Sequence, residues 1–205
     1  MSSYPVRVVK VGGSLLDMPE FPETLRDWLS AQAIAAHVLV VGGGSLADGV
    51  RALSRRFRMD QAAAHWACVD LLTATARIVA SLVPSLTFIR RFDELQSALQ
   101  NVSAPCVVFA VADFLERVEP LMPAPALPHD WSATTDSIAA RLAVALGAAE
   151  LVLLKSTHCP PEVNCRTAAD RGLVDEFFPI ASGCLAKVRW VNLRDASAGE
   201  QHLPK

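Results

Sequence analysis

The apolar positions of this chain fall into two kinds of run. Short, mainly apolar stretches occur at 6–11, 37–41, 86–89, 106–110, 151–154 and 186–193, each bounded by turn-forming residues. Such stretches read as strands buried on both faces. Between them, apolar residues recur at helical spacing. Leu25, Trp28 and Leu29 mark a helix over 23–32, behind a turn at Pro19 and Pro22. Ser45 is placed to cap a helix that turns Leu46, Val50 and Leu53 inward. Asp60 opens the longest helix, 61–82, with Ala62, His65, Trp66, Val69, Leu72, Ala76 and Val79 in period. Shorter helices are expected at 92–99 and 174–180, and a threonine-capped one carries Asp136 and stops at Gly147. Proline-rich residues 119–130 read as an irregular connection. Strands alternating with helices predict an α/β fold: one domain over 1–205, a three-layer αβα sandwich with a mostly parallel central sheet.

Two of these strands run straight into glycine. Val8-Val9-Lys10-Val11 leads to Gly12-Gly13-Ser14, and Val38-Leu39-Val40-Val41 leads to Gly42-Gly43-Gly44-Ser45. Glycine leaves backbone N–H groups bare at a strand end, which suits phosphate or carboxylate oxygens when a helix starts behind. The bland reading is a tight strand-to-helix turn. Neither the Gly-x-x-x-x-Gly-Lys spacing nor Gly-x-Gly-x-x-Gly is present. Lys10, Asp136 and Lys155 each fall at a strand end or helix start, where ligands of such sheets gather. Two lysines around a moving phosphoryl group, with an aspartate holding them apart and charged, is a chemistry these residues can perform.

Charge and composition narrow the picture. A net charge of −2 over 205 residues argues against a dedicated nucleic-acid surface. No apolar run approaches the roughly 18 residues of a membrane span. Five scattered cysteines and an N-terminus without a signal-peptide pattern point to a reducing cytoplasm. His158, Cys159 and Cys165 match no standard zinc spacing and read as a loop with free thiols. The basic run Arg55-Arg56-Phe57-Arg58 reads as a solvated helix end.

Lys10-Val11-Gly12-Gly13-Ser14 followed by Gly42-Gly43-Gly44 resembles the amino acid kinase family, which includes acetylglutamate, aspartate and uridylate kinases. Thr135-Asp136-Ser137-Ile138-Ala139-Ala140 resembles the family's Asp-[Ser/Thr]-x-Ala-Ala segment, and Leu153-Leu154-Lys155-Ser156 the strand-end lysine segment of its uridylate-kinase branch. The resemblance implies a kinase using ATP and Mg²⁺, with Lys10, Asp136 and Lys155 catalytic. It assigns Gly12, Gly13, Ser14 and Ser156 to the ATP phosphates, and Gly42, Gly43 and Gly44 to a small-molecule acceptor.

A narrower likeness covers Asp60-Gln61-Ala62-Ala63-Ala64-His65-Trp66, Trp131-Ser132-Ala133-Thr134-Thr135-Asp136-Ser137-Ile138-Ala139 and Leu154-Lys155-Ser156. These are similar to the small kinases of methanofuran biosynthesis and their bacterial relatives, which phosphorylate an aminomethylfuran methyl phosphate. An aromatic amine acceptor would suit a tryptophan wall at Trp66 or Trp131, with Asp60 or Asp130 pairing its ammonium group and His65 beside them as a candidate contact. A histidine on an apolar helix is also read as a satisfied core group. The family's Val-Asp-Gly segment after the lysine strand is replaced here by Ser156-Thr157-His158-Cys159-Pro160-Pro161, which removes nucleotide-holding groups. A catalytically silent regulatory or structural subunit is therefore the competing reading. The long helix is expected to pair with a second copy or a related subunit.

Overall fold

The computed structural model describes residues 4–100, 104–195, 197 and 199–205. Its strands are β1 (Val6–Val11), β2 (Ala36–Val41), β3 (Thr87–Ile89), β4 (Cys106–Phe109), β5 (Glu150–Lys155), β6 (Val188–Asn192) and β7 (Glu200–His202). They form one sheet in the order β3-β4-β2-β1-β5-β6-β7. Every pairing is parallel except β6 with β7. The helices are α1 (Phe21–Ser30), α2 (Gly44–Phe57), α3 (Gln61–Leu82), α4 (Phe92–Leu99), α5 (Ala112–Arg117), α6 (Thr135–Ala145), α7 (Cys165–Asp170) and α8 (Phe178–Ala181).

The period of two along each strand divides the interior. Val9, Val11, Leu39, Val41, Val152 and Leu154 pack with Phe21 and Leu25 of α1 on one face. Val8, Val38, Val40, Leu151 and Leu153 pack with α6 on the other, joined by Phe92, Phe114 and Phe178. Helix α3 spans the two cores, giving Val69 and Leu72 to the second and Ala76 and Val79 to the first. The expected α/β sandwich with a mostly parallel sheet is therefore present.

Several local expectations are corrected. Helix α1 starts at Phe21, because Pro22 sits in its first turn, where a missing N–H costs nothing. Residues 174–177 are not helical; only Phe178–Ala181 is, while Val174 and Asp175 turn inward toward α6. Leu46 and Leu53 face solvent rather than the core. No side chain caps α2, so Ser45 is not its cap. Thr134 stands at the start of α6, but its hydroxyl donates to Asp175 instead of capping its own helix. Strand β7 has no apolar alternation, since Glu200 and His202 are exposed on a sheet edge.

Candidate active site

The two lysines reach one point because of strand register. Lys10 lies opposite Leu153 in the β1–β5 pair, and Lys155 stands two residues further along β5. Both therefore share the sheet face of Val8 and Leu153, the face covered by α6. The α6 residues Ala139, Ala140 and Ala143 are buried, and their small side chains let the helix approach the sheet closely. Its first turn then puts Asp136 over the lysines. Lys10 Nζ is 2.9 Å from one carboxylate oxygen and Lys155 Nζ 2.8 Å from the other. Lys155 also donates to the Leu173 carbonyl at 2.8 Å, and its ammonium stands 5.2 Å from the Trp190 ring centre.

Burial alone would raise the Asp136 carboxyl, but the two ammonium charges outweigh it and hold the group at about 2. Burial lowers Lys155 to about 8, against the pull of Asp136 and with the push of Lys10. Asp136 is an anion, and Lys155 is poised near the upper end of the neutral range.

The glycine loops meet each other above this triad. A Cβ built on Gly13 would stand 2.2 Å from the Gly44 nitrogen, and one on Gly42 would stand 2.7 Å from the Gly13 nitrogen. Gly44 also has φ 55°, a left-handed backbone that favours glycine. With no side-chain cap on α2, its first-turn N–H groups are left to other acceptors. On the other side of the Gly13–Asp17 3₁₀ turn, the Ser14 hydroxyl meets the Ser156 hydroxyl at 2.8 Å. Arg194 donates to the Ser14 carbonyl at 2.8 Å.

Between these loops and α3 opens a cavity of about 320 Å³. Gly13, Ser14, Gly42, Gly43, Gly44 and Ser45 form its polar end; Val69, Leu72, Ile138 and Trp131 its apolar wall; Asp17, Asp48, Arg51, His65 and Asp130 its ionisable groups. Arg51 is paired with Asp48 at 2.8 Å, and its guanidinium lies 4.6 Å over Trp131. Hydrogen bonds from the Ser132 hydroxyl and amide hold Asp130 below the usual carboxylate range. His65 is buried, with no hydrogen-bond partner for Nε2 among the described residues. Burial, then His129, lowers its basicity. The two imidazoles stack at 5.0 Å.

A model of the amino acid kinase family matches residues 5–158, a span that contains Lys10, Asp136, Lys155 and both glycine loops. The chain belongs to the amino acid kinase family. Among solved structures it is similar to uridylate kinase from Archaeoglobus fulgidus at 17% identity and a TM-score of 0.64, covering 100% of this chain and 99% of that one. UMP kinase from Bacillus anthracis matches at 13% identity and a TM-score of 0.65, over 95% and 89% of the two chains. UMP kinase from Ureaplasma parvum matches at 12% and 0.66, over 98% and 100%. At these identities the likeness is one of fold. No curated protein sequence matches the chain significantly.

Of the residues that the family resemblance singles out, Lys10, Asp136 and Lys155 come together. Gly13, Ser14, Gly42, Gly43, Gly44, His65, Asp130 and Trp131 line the cavity beside them. Ser156 sits against Ser14. The Gly12 amide is taken up by the Leu154 carbonyl at 2.8 Å. Asp60 caps α3 by accepting from the Ala63 amide at 3.1 Å and is exposed. Trp66 is not a lining residue; it backs His65 edge-on at 5.5 Å and contacts His129 at 5.3 Å. Arg51, His129, Asp175 and Arg194 went unnoticed in the sequence. No motif marks them, and each has a contact with a neighbour distant in the chain.

Proposed function

We propose that this member of the amino acid kinase family is an ATP-dependent phosphotransferase acting on a small phosphorylated or carboxylated metabolite. The observation that carries this reading is one buried carboxylate gripping two lysines beside a glycine-lined cavity. In phosphoryl transfer an acceptor oxygen bonds to the γ-phosphorus while the bond to the β–γ bridging oxygen breaks, leaving ADP. Negative charge spreads over the transferring oxygens, and positioned cations and N–H donors stabilise it. Lys10 and Lys155 supply the cations. Asp136 keeps them from repelling each other and fixes their spacing.

The residues present fit a nucleotide triphosphate on the Ser14–Ser156 side, where Arg194 adds positive charge, and an anionic acceptor group at the uncapped start of α2. Among the described residues no cluster of three or more His, Cys, Asp or Glu could cage a metal. Mg²⁺ would be carried on the nucleotide phosphates with one or two carboxylates beside it, as is usual for this ion. When bound there it supplies further neutralisation of the phosphate charge.

The acceptor we favour is an aminomethylfuran methyl phosphate of methanofuran-type cofactor biosynthesis, whose phosphate would become a diphosphate. Trp131 offers an aromatic wall, and Asp130 a carboxylate for an ammonium group. The exposed apolar residues Leu46, Leu53 and Phe57 of α2 and Ile78 and Leu82 of α3 are consistent with pairing with a second copy or a related subunit.

The test is phosphorus NMR of the protein with ATP, Mg²⁺ and a panel of acceptors: aminomethylfuran methyl phosphate, UMP and simple carboxylates. A new diphosphate signal from the furan compound, coupled to ADP, is expected. A diphosphate from UMP alone would replace the furan assignment with a nucleotide one. ADP release without acceptor dependence would make the protein an ATPase rather than a kinase of these acceptors, and no turnover with any acceptor would favour the silent subunit.

A further inference from the structure

The segment between α7 and α8 touches both halves of the lysine–aspartate machinery. The Leu173 carbonyl accepts from Lys155 Nζ at 2.8 Å. Two residues on, the Asp175 carboxylate accepts from the Thr134 amide at 2.8 Å, the Thr134 hydroxyl at 2.8 Å, the Ser137 amide at 3.1 Å and the Ser137 hydroxyl. The Phe177 amide then donates to the Ser132 carbonyl at 3.0 Å. Buried Val174 and Phe178 anchor the segment from either side of Asp175.

We propose that Asp175 is a positioning residue for phosphoryl transfer, setting where Asp136 stands and adding a second carboxylate charge to the lysine–aspartate cluster. The proposal rests on the kinase reading above. Thr134 and Ser137 bracket Asp136 in the chain, so the peptide that follows Asp136 and the residue two before it are fixed from outside their own helix. A helix start normally takes such bonds from its own cap residue. Here Thr134 turns its hydroxyl away, and the cap comes from a residue thirty-eight or more positions later.

Charge points the same way. The groups facing Lys155 are Asp136 from α6, Lys10 from β1 and Asp175 from the α7–α8 connection. With Asp175 ionised, two carboxylates balance two ammonium groups in a largely buried space. Without it the space carries an excess positive charge. Burial first, then the charge of Asp136, raises the Asp175 carboxyl, while the bonds from Ser137 and Thr134 oppose that rise.

A simple helix cap would stabilise α6 and do nothing else, so the test must read Lys155 itself. In protein carrying ¹³C-labelled lysine, the Lys155 side-chain signal, assigned with Lys155→Arg, is followed through its titration near pH 8. Asp175→Asn keeps the shape and removes the charge. The expected result is a Lys155 midpoint lower by about one unit, with the alkaline limb of kcat/KM, which reports the free enzyme, moving down by a similar amount and both KM values near neutral pH within about twofold. Asp175→Glu keeps the charge and displaces it; turnover is expected to fall about tenfold with the Lys155 midpoint near its native value.

An unmoved midpoint in a folded Asp175→Asn protein would reduce Asp175 to a cap and overturn the electrostatic role. If Asp175→Asn does not fold, native turnover in Asp175→Glu would overturn the positioning role. The titration needs no turnover. A shifted midpoint in a protein that phosphorylates nothing would leave the charge coupling standing and sink the kinase reading alone.

Discussion

Gly13 and Gly44 touch backbone to backbone, so closely that a Cβ on Gly13 would lie 2.2 Å from the Gly44 nitrogen. The first atom met is main chain, which cannot swing aside as a long side chain does. Gly13→Ala should therefore force the loops apart, at a cost of roughly 1–3 kcal/mol in stability. It should weaken nucleotide and acceptor binding together. Gly49→Ala, in the middle of α2 with nothing within 4 Å, is the control. It should raise stability by about 0.5–1 kcal/mol. Chemical denaturation with calorimetric titration of both ligands checks the pair, and equal behaviour of the two variants would refute the contact.

Lys10→Ala and Lys155→Ala should each lower kcat by roughly 10²–10³-fold. Ground-state binding should change less, because the charge they meet grows in the transition state. Asp136→Asn leaves two ammonium groups without the anion between them, and should lower turnover as well. Steady-state kinetics on the acceptor found by phosphorus NMR decides this. Wild-type turnover in both lysine variants would remove them from the chemistry.

Lys155 sits at about 8 in the free protein because burial disfavours its charge. An anionic phosphate beside it would restore that charge and raise its pKa. Binding of ATP or phosphate at ~pH 8.5 should therefore take up protons, and at ~pH 6.5 Lys155 should contribute none. Calorimetry in two buffers of different ionisation enthalpy reads this directly. A binding enthalpy independent of buffer at the higher pH would place the phosphates away from Lys155.

At the opposite end of the strands, His37 is buried with Nδ1 unpartnered among the described residues, near Arg7. Burial, then the Arg7 charge, lowers it from 6.5 to about 4. The unfolded chain binds this proton more readily than the folded one. Its stability contribution is thus fully present above 6.5 and is lost as pH falls toward 4. Denaturant unfolding across that window should show stability declining with acid in the native protein. A His37→Gln variant should have a flatter profile over the same window, and identical slopes would show that His37 is not the group responsible.

The strands and the triad were readable because each rests on local signals: apolar runs ending in glycine, and charged residues at strand or helix ends. Lys10 and Lys155 share a face through strand alternation, which is arithmetic once β1 and β5 are neighbours. Asp175 was invisible because its function is a contact across 38 residues or more, inside a stretch whose apolar spacing imitates a helix. Leu46 and Leu53 misled for the opposite reason. Helical period identifies an apolar stripe, but not whether this chain covers it. The polar edge strand β7 and the cap on α6 likewise depend on partners that no short window contains.

On the proposed kinase reading, the groups that would move the phosphoryl group and most of the side chains that would hold its acceptor come from different elements, with α6 giving Asp136 to the first and Ile138 to the second. Lys10, Lys155 and Asp136 hang from β1, β5 and α6, deep in the sheet's core. Arg51, His65 and Trp131 stand on α2, α3 and the proline-rich connection's end, with none of the triad's contacts. A lineage could therefore exchange one acceptor for another by altering three wall positions, while the reaction centre passed unchanged from one metabolite to the next. The glycine joint, which both halves need, is the part that such drift would have to leave alone.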